Sequence, residues 1–295
     1  MSLQQLCQAG NLIDYNNPIG SGTHGTVYAS FLSNEIAVKV FPIKTSHVPT
    51  CFGVKQTNSC DIIRTGEYAY QETARETINQ SKAFFDKDII GIIDVPDVYG
   101  FKFLPNSNQA QCCSYLMKRL YPLETLENHL IQLTFNYDRN YNTVLSSGQY
   151  VGIDTLKSMG FSEYEISRIN RAIASMTAAL HYGMKTDAFD IEFILAAPID
   201  SNDEYGVYAI DFDKFSYYNE TFPYCLSRKL TESDYDHRSI TDENKLVRLL
   251  TTSIIYCPRP DYPEYIEWKN TYIKIATFYG RGDLANKVTS LYEKM

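Results

Sequence analysis

The feature that most constrains this chain is a glycine-rich segment followed by a short apolar segment that carries one lysine. Residues 19–28 read I-G-S-G-T-H-G-T-V-Y, which fits the pattern G-x-G-x-x-G-x-V, and residues 36–40 read I-A-V-K-V. Glycines let a backbone turn sharply and lie against phosphate groups where a Cβ would collide. Lys39, on the strand that follows, can reach back to the same phosphates. The two segments together predict a phosphate-binding β-hairpin followed by a strand.

Other structures share a glycine pattern of this kind, because it also suits a Rossmann turn or a plain β-hairpin. Val27 and Tyr28 continue as a strand instead of opening a helix, which argues against the Rossmann turn. A plain hairpin in an unrelated α+β protein stays open as an alternative.

Taken together, the two segments resemble the nucleotide-binding lobe of the protein-kinase superfamily. The resemblance implies an α+β, bilobal fold. A small antiparallel β-sheet with one helix would form the N-terminal lobe in residues 1–120, and residues 121–295 would form a reduced, mainly helical C-terminal lobe. It also implies that ATP and Mg²⁺ are the cofactors. The residues implied to contact the nucleotide are Gly20, Gly22, Gly25, Val27, Ala37, Lys39, Glu72 and Met117.

The segment after the lysine strand carries the next part of this resemblance. Residues 44–65 are polar and irregular and predict a loop or insertion, whereas residues 66–85 have a helical apolar stripe. A kinase helix in this place offers a glutamate to the strand lysine. Glu72 is the first choice and Glu76 the second, with solvent-facing glutamates as the open alternative. Residues 115–120 would connect the lobes and bind adenine through the backbone.

A catalytic-loop pattern follows the clearest predicted helix, which begins with a capping box at Ser162 and Glu165. Asp187 and Glu192 have the five-residue spacing of the Asp and Asn in a kinase catalytic loop, and an apolar strand follows. By the resemblance, Asp187 accepts or orients the acceptor hydroxyl and Glu192 takes the place of the metal-binding Asn. Asp211, in the sequence Asp-Phe at the end of residues 207–212, would bind Mg²⁺.

Several departures from the kinase pattern make this an atypical member at best. Lys185 and Thr186 replace the usual His-Arg pair before the aspartate, Asp213 replaces the glycine of Asp-Phe-Gly, and no A-P-E segment follows. The resemblance nevertheless implies Mg²⁺-dependent phosphoryl transfer from ATP to a protein or small-molecule hydroxyl. AMP transfer by the same fold and a pseudokinase that acts as a scaffold or binding module are the alternatives.

The C-terminal part looks like a family of fungal kinase-like domains of unassigned function. The resemblance covers residues 18–275 and rests on residues 187–195, residues 256–260 (Y-C-P-R-P), Trp268 and Tyr272. A rigid surface turn at the P-R-P segment and a core position for Trp268 are the preferred interpretations of those two features. His181 is likewise predicted to be a packed or capping residue and not a base.

Composition limits the class of partner. A net charge of −8 without any basic run argues against nucleic acid and anionic membranes as partners. Seven cysteines without a C-x-x-C motif predict reduced thiols in the cytoplasm or nucleus, with no zinc site. The predicted partners are ATP and an unknown protein or small-molecule acceptor.

Residues 123–133 are predicted as a short helix and residues 136–150 as a loop.

Overall fold

The structure is a computed structural model that describes residues 13–21, 26–42, 45–50, 53–58, 68–104, 112–123, 130–135, 150–189, 191–198, 204–212, 218, 243–254 and 256–295. The fold is α+β, with an antiparallel sheet in the first part of the chain and a mainly helical second part. This arrangement is compatible with the predicted bilobal, kinase-like fold.

The first sheet has five strands in the order β1-β2-β3-β8-β7, and all neighbours are antiparallel. Its strands are β1 (Ile13–Ser21), β2 (Thr26–Ser30), β3 (Ile36–Pro42), β7 (Val98–Leu104) and β8 (Cys112–Lys118). Val38 and Val40 pack with Ile13 and Leu116 in a small core of their own. Because side chains alternate along a strand, Lys39 lies on the opposite face of β3. The predicted hairpin and lysine strand are confirmed.

A second, separate hairpin follows β3. Strands β4 (Thr45–Thr50) and β5 (Gly53–Asn58) pair antiparallel in a two-stranded sheet. The prediction of an irregular loop over residues 44–65 is therefore wrong in this part. The segment contains several threonines and valines, whose branched side chains favour strands and outweigh its polar character.

The helix of the N-terminal part, α1 (Ala69–Ser81), continues as a 3₁₀ turn over Lys82–Phe84. Ala74 and Ile78 on its inner face lie in the same core as the C-terminal helices. A second 3₁₀ turn, Ile90–Ile92, leads into β6 (Ile93–Asp94), which pairs parallel with a strand of the second sheet. β6 therefore belongs to the second sheet although it precedes residue 120, and the boundary between lobes at residue 120 stays a prediction.

The second sheet has the strand order β10-β9-β11-β12-β6. Its other strands are β9 (Ile131–Leu133), β10 (Tyr150–Val151), β11 (Glu192–Ala196) and β12 (Gly206–Ile210). The helix predicted over residues 123–133 is wrong at its end, because Ile131 pairs with Leu195 of β11 and is buried in this sheet. Residues 124–129 and most of the predicted loop at 136–150 lie outside the described residues.

Helices of the second part of the chain share one buried core with a face of this second sheet. They are α2 (Ile153–Ser158), α3 (Glu163–Ala178), α4 (Glu243–Ser253), α5 (Glu264–Phe278) and α6 (Gly282–Tyr292). The capping box is confirmed, since the Ser162 hydroxyl accepts from the amide of Glu165 and the Glu165 carboxylate accepts from the amide of Ser162. A π-helical turn, Ala179–Gly183, extends α3 toward the candidate site.

The centre of the helical part is aromatic. Trp268 of α5 is fully buried and stacks on Tyr272 at a centroid distance of 4.8 Å, so the predicted core position for Trp268 is confirmed. None of the helices within the described ranges is long and apolar enough to cross a membrane.

Candidate nucleotide site

The strand lysine and the strand-end aspartate meet, although 172 positions separate them in the chain. The Nζ atom of Lys39 lies 2.9 Å from Oδ1 of Asp211. Lys39 is fixed by the middle of the first sheet, where it pairs with Val27 of β2 and Tyr115 of β8. Asp211 follows the last residue of β12, in the second sheet. The contact therefore joins the two sheets at one point.

The backbone of the site's loops is unusual. Lys185, Ala188 and Asp211 have φ angles of 57°, 47° and 63°, and they are the only non-glycine residues with positive φ in the described part of the chain. Left-handed backbone is rare for residues with a side chain and is retained where the surroundings enforce it, often at functional sites. Both loops that the sequence singled out are held in this way.

Glu192 and Asp211 lie at the same end of the antiparallel pair formed by β11 and β12. Glu192 pairs with Ile210, the residue just before Asp211. One or two carboxylates completed by phosphate oxygens are a usual environment for Mg²⁺ in proteins. Within the described residues, no group of three or more His, Cys, Asp and Glu side chains could hold a metal ion. The residues present therefore fit a magnesium ion that shares its coordination with a nucleotide, not a site formed by protein alone.

An apolar surface adjoins this acidic end. Ile194 lies two residues after Glu192 in β11. Because successive side chains of a strand point to opposite faces, Ile194 and Glu192 lie on the same face. Ile194, Ala196 and Tyr208 are buried there against the partly buried Leu120, Leu130 and Ile210. A flat apolar group such as a nucleobase could contact only the partly buried members of this set, Leu120, Leu130 and Ile210.

The connector between the first sheet and the second part of the chain has two of its amides already engaged. The Lys118 amide donates to the Asp97 carbonyl, and the Arg119 amide donates to the Glu35 carbonyl, each at 2.8 Å. Met117 pairs with Ala37, which is 1% exposed. The predicted backbone contacts to adenine must therefore use other groups of residues 115–120.

The expected pairing of Lys39 with a helix glutamate is not found. Glu72 and Glu76 are both exposed on α1, and no ion pair joins either of them to Lys39 among the described residues. The helix instead turns the buried Gln71 inward, whose Nε2 donates to the Pro96 carbonyl at 2.8 Å. Tyr115, the cross-strand neighbour of Lys39, donates its hydroxyl to Oε1 of Gln71 at 3.4 Å. Gln71, and not Glu72, is thus the residue of α1 that contacts the cross-strand neighbour of Lys39.

Asp187 is fully buried. Its Oδ1 accepts a hydrogen bond from the Phe189 amide at 3.2 Å, which is the turn geometry that aspartate forms with its own backbone. A carboxylate without exposed surface cannot contact an acceptor hydroxyl in this arrangement. The catalytic role predicted for Asp187 requires Phe189 to move away from this carboxylate.

The glycine hairpin is described only in part, because Gly22 and Gly25 lie outside the described residues. Gly20 pairs with Val27 across the hairpin. A Cβ added at Gly20 would come no closer than 3.8 Å to Val27, which is ordinary contact. Gly20 is therefore not required by local packing.

No family model matches this chain, and no curated protein matches its sequence. Among solved structures, "WaaP in complex with acyl carrier protein" is 11% identical over 94% of this chain and 88% of that chain, with a TM-score of 0.38. A MAP kinase, LmaMPK10 from Leishmania major, is 11% identical over 86% of this chain and 60% of that chain, with a TM-score of 0.28. Likeness at this level assigns no function, so the proposals below rest on the residues of this chain. The resemblance to fungal kinase-like domains stays a prediction.

Proposed function

We propose that this protein is an atypical, kinase-like ATP-binding protein that transfers a phosphoryl group from ATP to the hydroxyl of a protein or small molecule. The observation that carries the proposal is the 2.9 Å contact between Lys39 and Asp211. Lys39 and Asp211 come from distant parts of the chain and converge beside an apolar face. This arrangement of one cation and one anion matches the charge pattern that Mg²⁺–ATP requires.

Each side of this ion pair has a part to play with the nucleotide. The Lys39 side chain is 13% exposed and that of Asp211 is 29% exposed, so solvent reaches the pair. On binding, the ammonium of Lys39 exchanges the Asp211 carboxylate for phosphate oxygens. Asp211 and Glu192 then hold Mg²⁺, which when bound offsets the negative charge of the phosphates. The partly buried side chains of Leu120, Leu130 and Ile210, which pack against Ile194 and Tyr208, contact the adenine.

The acceptor would enter beside Asp187 once Phe189 moves away from its carboxylate, while the main chain of Asp187 stays in place. The released carboxylate accepts the proton of the attacking hydroxyl or orients that hydroxyl. The predicted location in the cytoplasm or nucleus, with reduced thiols, fits the use of ATP. The net charge of −8 gives no general attraction to nucleic acid or membranes.

Transfer is tested with ATP labelled on either its γ- or its α-phosphate, with Mg²⁺ and a mixture of candidate protein and small-molecule acceptors. Phosphoryl transfer predicts label in product from the γ-phosphate alone, whereas AMP transfer predicts label from the α-phosphate alone. Asp187→Asn is expected to abolish labelling. Asp154→Asn, an exposed residue in α2 away from the site, is the matched control and should label like the parent. Equal labelling by both variants would contradict the role of Asp187.

A second function, ATP binding by a pseudokinase scaffold, is favoured by the burial of Asp187 and by Gln71 at the inward position of α1. Under this alternative the protein binds Mg²⁺–ATP but labels no acceptor from either phosphate. Binding without transfer, after acceptors of both classes have been supplied, would select it.

A further inference from the structure

Four polar aromatic residues fill the space beneath the Asp187 loop, and the phosphate site described above uses none of them. They are His181, Tyr182, Tyr218 and Tyr272, and none is more than 4% exposed. The first two lie in the π-helical turn, Tyr218 follows Asp211 by seven residues, and Tyr272 belongs to α5.

The direction of each hydrogen bond in this cluster is fixed by its partners. Nε2 of His181 lies 3.2 Å from the Asp187 carbonyl, which can only accept, so Nε2 carries the proton. Burial lowers the pKa of His181 to about 3, so the ring is neutral at pH 7 and its Nδ1 is an acceptor. Tyr272 therefore donates to Nδ1 at 2.7 Å, and Tyr182 donates to the Tyr272 oxygen at 2.8 Å.

Tyr218 ties the chain that follows Asp211 to the same loop. Its amide donates to the Lys185 carbonyl at 2.8 Å, and its hydroxyl donates to the His181 carbonyl. Thr186 is held as well, since its amide and its hydroxyl both donate to the Leu180 carbonyl at 3.1 Å. The loop is thus fixed by contacts to Leu180, His181 and Tyr218 up to the residue that bears the carboxylate.

We propose that His181 and Tyr272 are positioning residues, which set the orientation of Asp187 by holding its main-chain carbonyl. Trp268, stacked on Tyr272 with an interplanar angle of 16°, keeps the tyrosine ring in place. The effect of these two residues on phosphoryl transfer rests on the proposed function, whereas their effect on the conformation of the Asp187 loop does not.

The test compares Tyr272→Phe with Tyr265→Phe. Both tyrosines are in α5, at most 1% exposed, and use their hydroxyls in hydrogen bonds. The hydroxyl of Tyr265 bonds to Thr289 and Glu293 of the C-terminal segment, away from the Asp187 loop. Tyr265→Phe is therefore a control for the loss of one buried hydroxyl from the same helix.

The first readout is the kinetics of transfer. Misplacing a catalytic group by about 1 Å lowers a rate by about 100-fold, so Tyr272→Phe should lower kcat by about 10- to 100-fold. The dissociation constant for Mg²⁺–ATP should stay that of the parent, because the hydroxyl does not contact the phosphate site. Tyr265→Phe should leave both values unchanged. An equal kcat for the two variants would contradict the positioning role.

The second readout needs no activity, so it separates this inference from the proposed function. Tyr272→Phe should accelerate amide hydrogen exchange at Thr186 and Phe189 relative to Tyr265→Phe. His181→Gln keeps a donor and an acceptor and should preserve slow exchange, whereas His181→Leu should not. Equal exchange in both tyrosine variants would overturn the inference. If the parent binds no ATP, the proposed function fails while this readout still decides the role of the cluster.

Discussion

Arg171 in α3 contacts three carboxylates, and replacing it with methionine is expected to destabilise the protein. Its Nη1 lies 3.1 Å from Asp86, its Nη2 lies 2.7 Å from Asp88, and its Nε lies 3.3 Å from Glu267. Asp86 and Asp88 belong to the segment after α1, whereas Glu267 belongs to α5. Arg171 therefore holds the segment that follows α1 against the two central helices.

The size of the effect follows from exposure. The arginine side chain is 14% exposed, and its partners are 33–36% exposed. Removing one partner of a buried ion pair costs about 3–5 kcal/mol, whereas an exposed pair contributes about 0–1 kcal/mol. The cost of losing pairs with half-exposed carboxylates lies between these two values. We expect Arg171→Met to lower the free energy of unfolding by about 2–3 kcal/mol at pH 7.

This loss should depend on pH. Hydrogen bonds from Lys274 and Arg171 lower the pKa of Asp86, and a hydrogen bond from Arg171 lowers the pKa of Asp88. A carboxyl group whose pKa is lower in the folded state stabilises the fold above its unfolded pKa of about 3.9. That stability is lost as the pH falls through the folded pKa. The difference between parent and Arg171→Met should therefore be full at pH 7 and shrink below about pH 4.

Urea unfolding followed by circular dichroism at pH 7 and pH 3 measures both effects. Lys274→Met is the control, because it removes an exposed partner of Asp86 alone and should cost only about 0–1 kcal/mol. Equal losses in the two variants would refute the reasoning from burial. A parent-to-variant difference that is the same at both pH values would refute the assignment to ionised carboxylates.

Two further substitutions test how the candidate site is supported. Ser162→Ala removes the hydroxyl that accepts from the Glu165 amide, so urea unfolding should show a loss of about 1 kcal/mol. Gly183→Ala would place its Cβ 2.5 Å from the Tyr279 hydroxyl and 2.9 Å from Cγ2 of Thr77, so we expect a loss of about 1–3 kcal/mol and a lower thermal midpoint. A Gly183→Ala variant as stable as the parent would show that α1 can move away from the π-helical turn.

The sequence predicted the parts of this fold that local pattern determines. Alternation along residues 36–40 places Lys39 on one face of β3, and the pair Ser162 and Glu165 starts α3 by bonding to its own first turn. Asp187 and Asp211 each follow a recognisable apolar or helical segment. These features depend on neighbours in the chain, so residue types and spacing were enough to find them.

The parts that depend on distant contacts were not predictable in the same way. Glu72 was chosen by charge, but the buried stripe of α1 passes through Gln71, Ala74 and Ile78. Because one residue turns a helix by about 100°, Glu72 lies off that stripe. The apolar pair Ala74 and Ile78 was a signal that could have pointed to Gln71. The burial of Asp187 left no such signal, since the cluster that holds its carbonyl includes Tyr272, 85 positions later in the sequence.

The most direct test of the central claim is the binding of ATP, measured by thermal unfolding with and without Mg²⁺. The variants are Lys39→Met and Asp211→Asn, with Lys245→Met on the exposed face of α4 as the control. At a ligand concentration 100 times Kd, binding to the folded state alone stabilises by about 2.7 kcal/mol. The account predicts a metal-dependent shift of this size in the parent and in Lys245→Met, and none in the two site variants. No shift in the parent, or an equal shift in all four proteins, would contradict it.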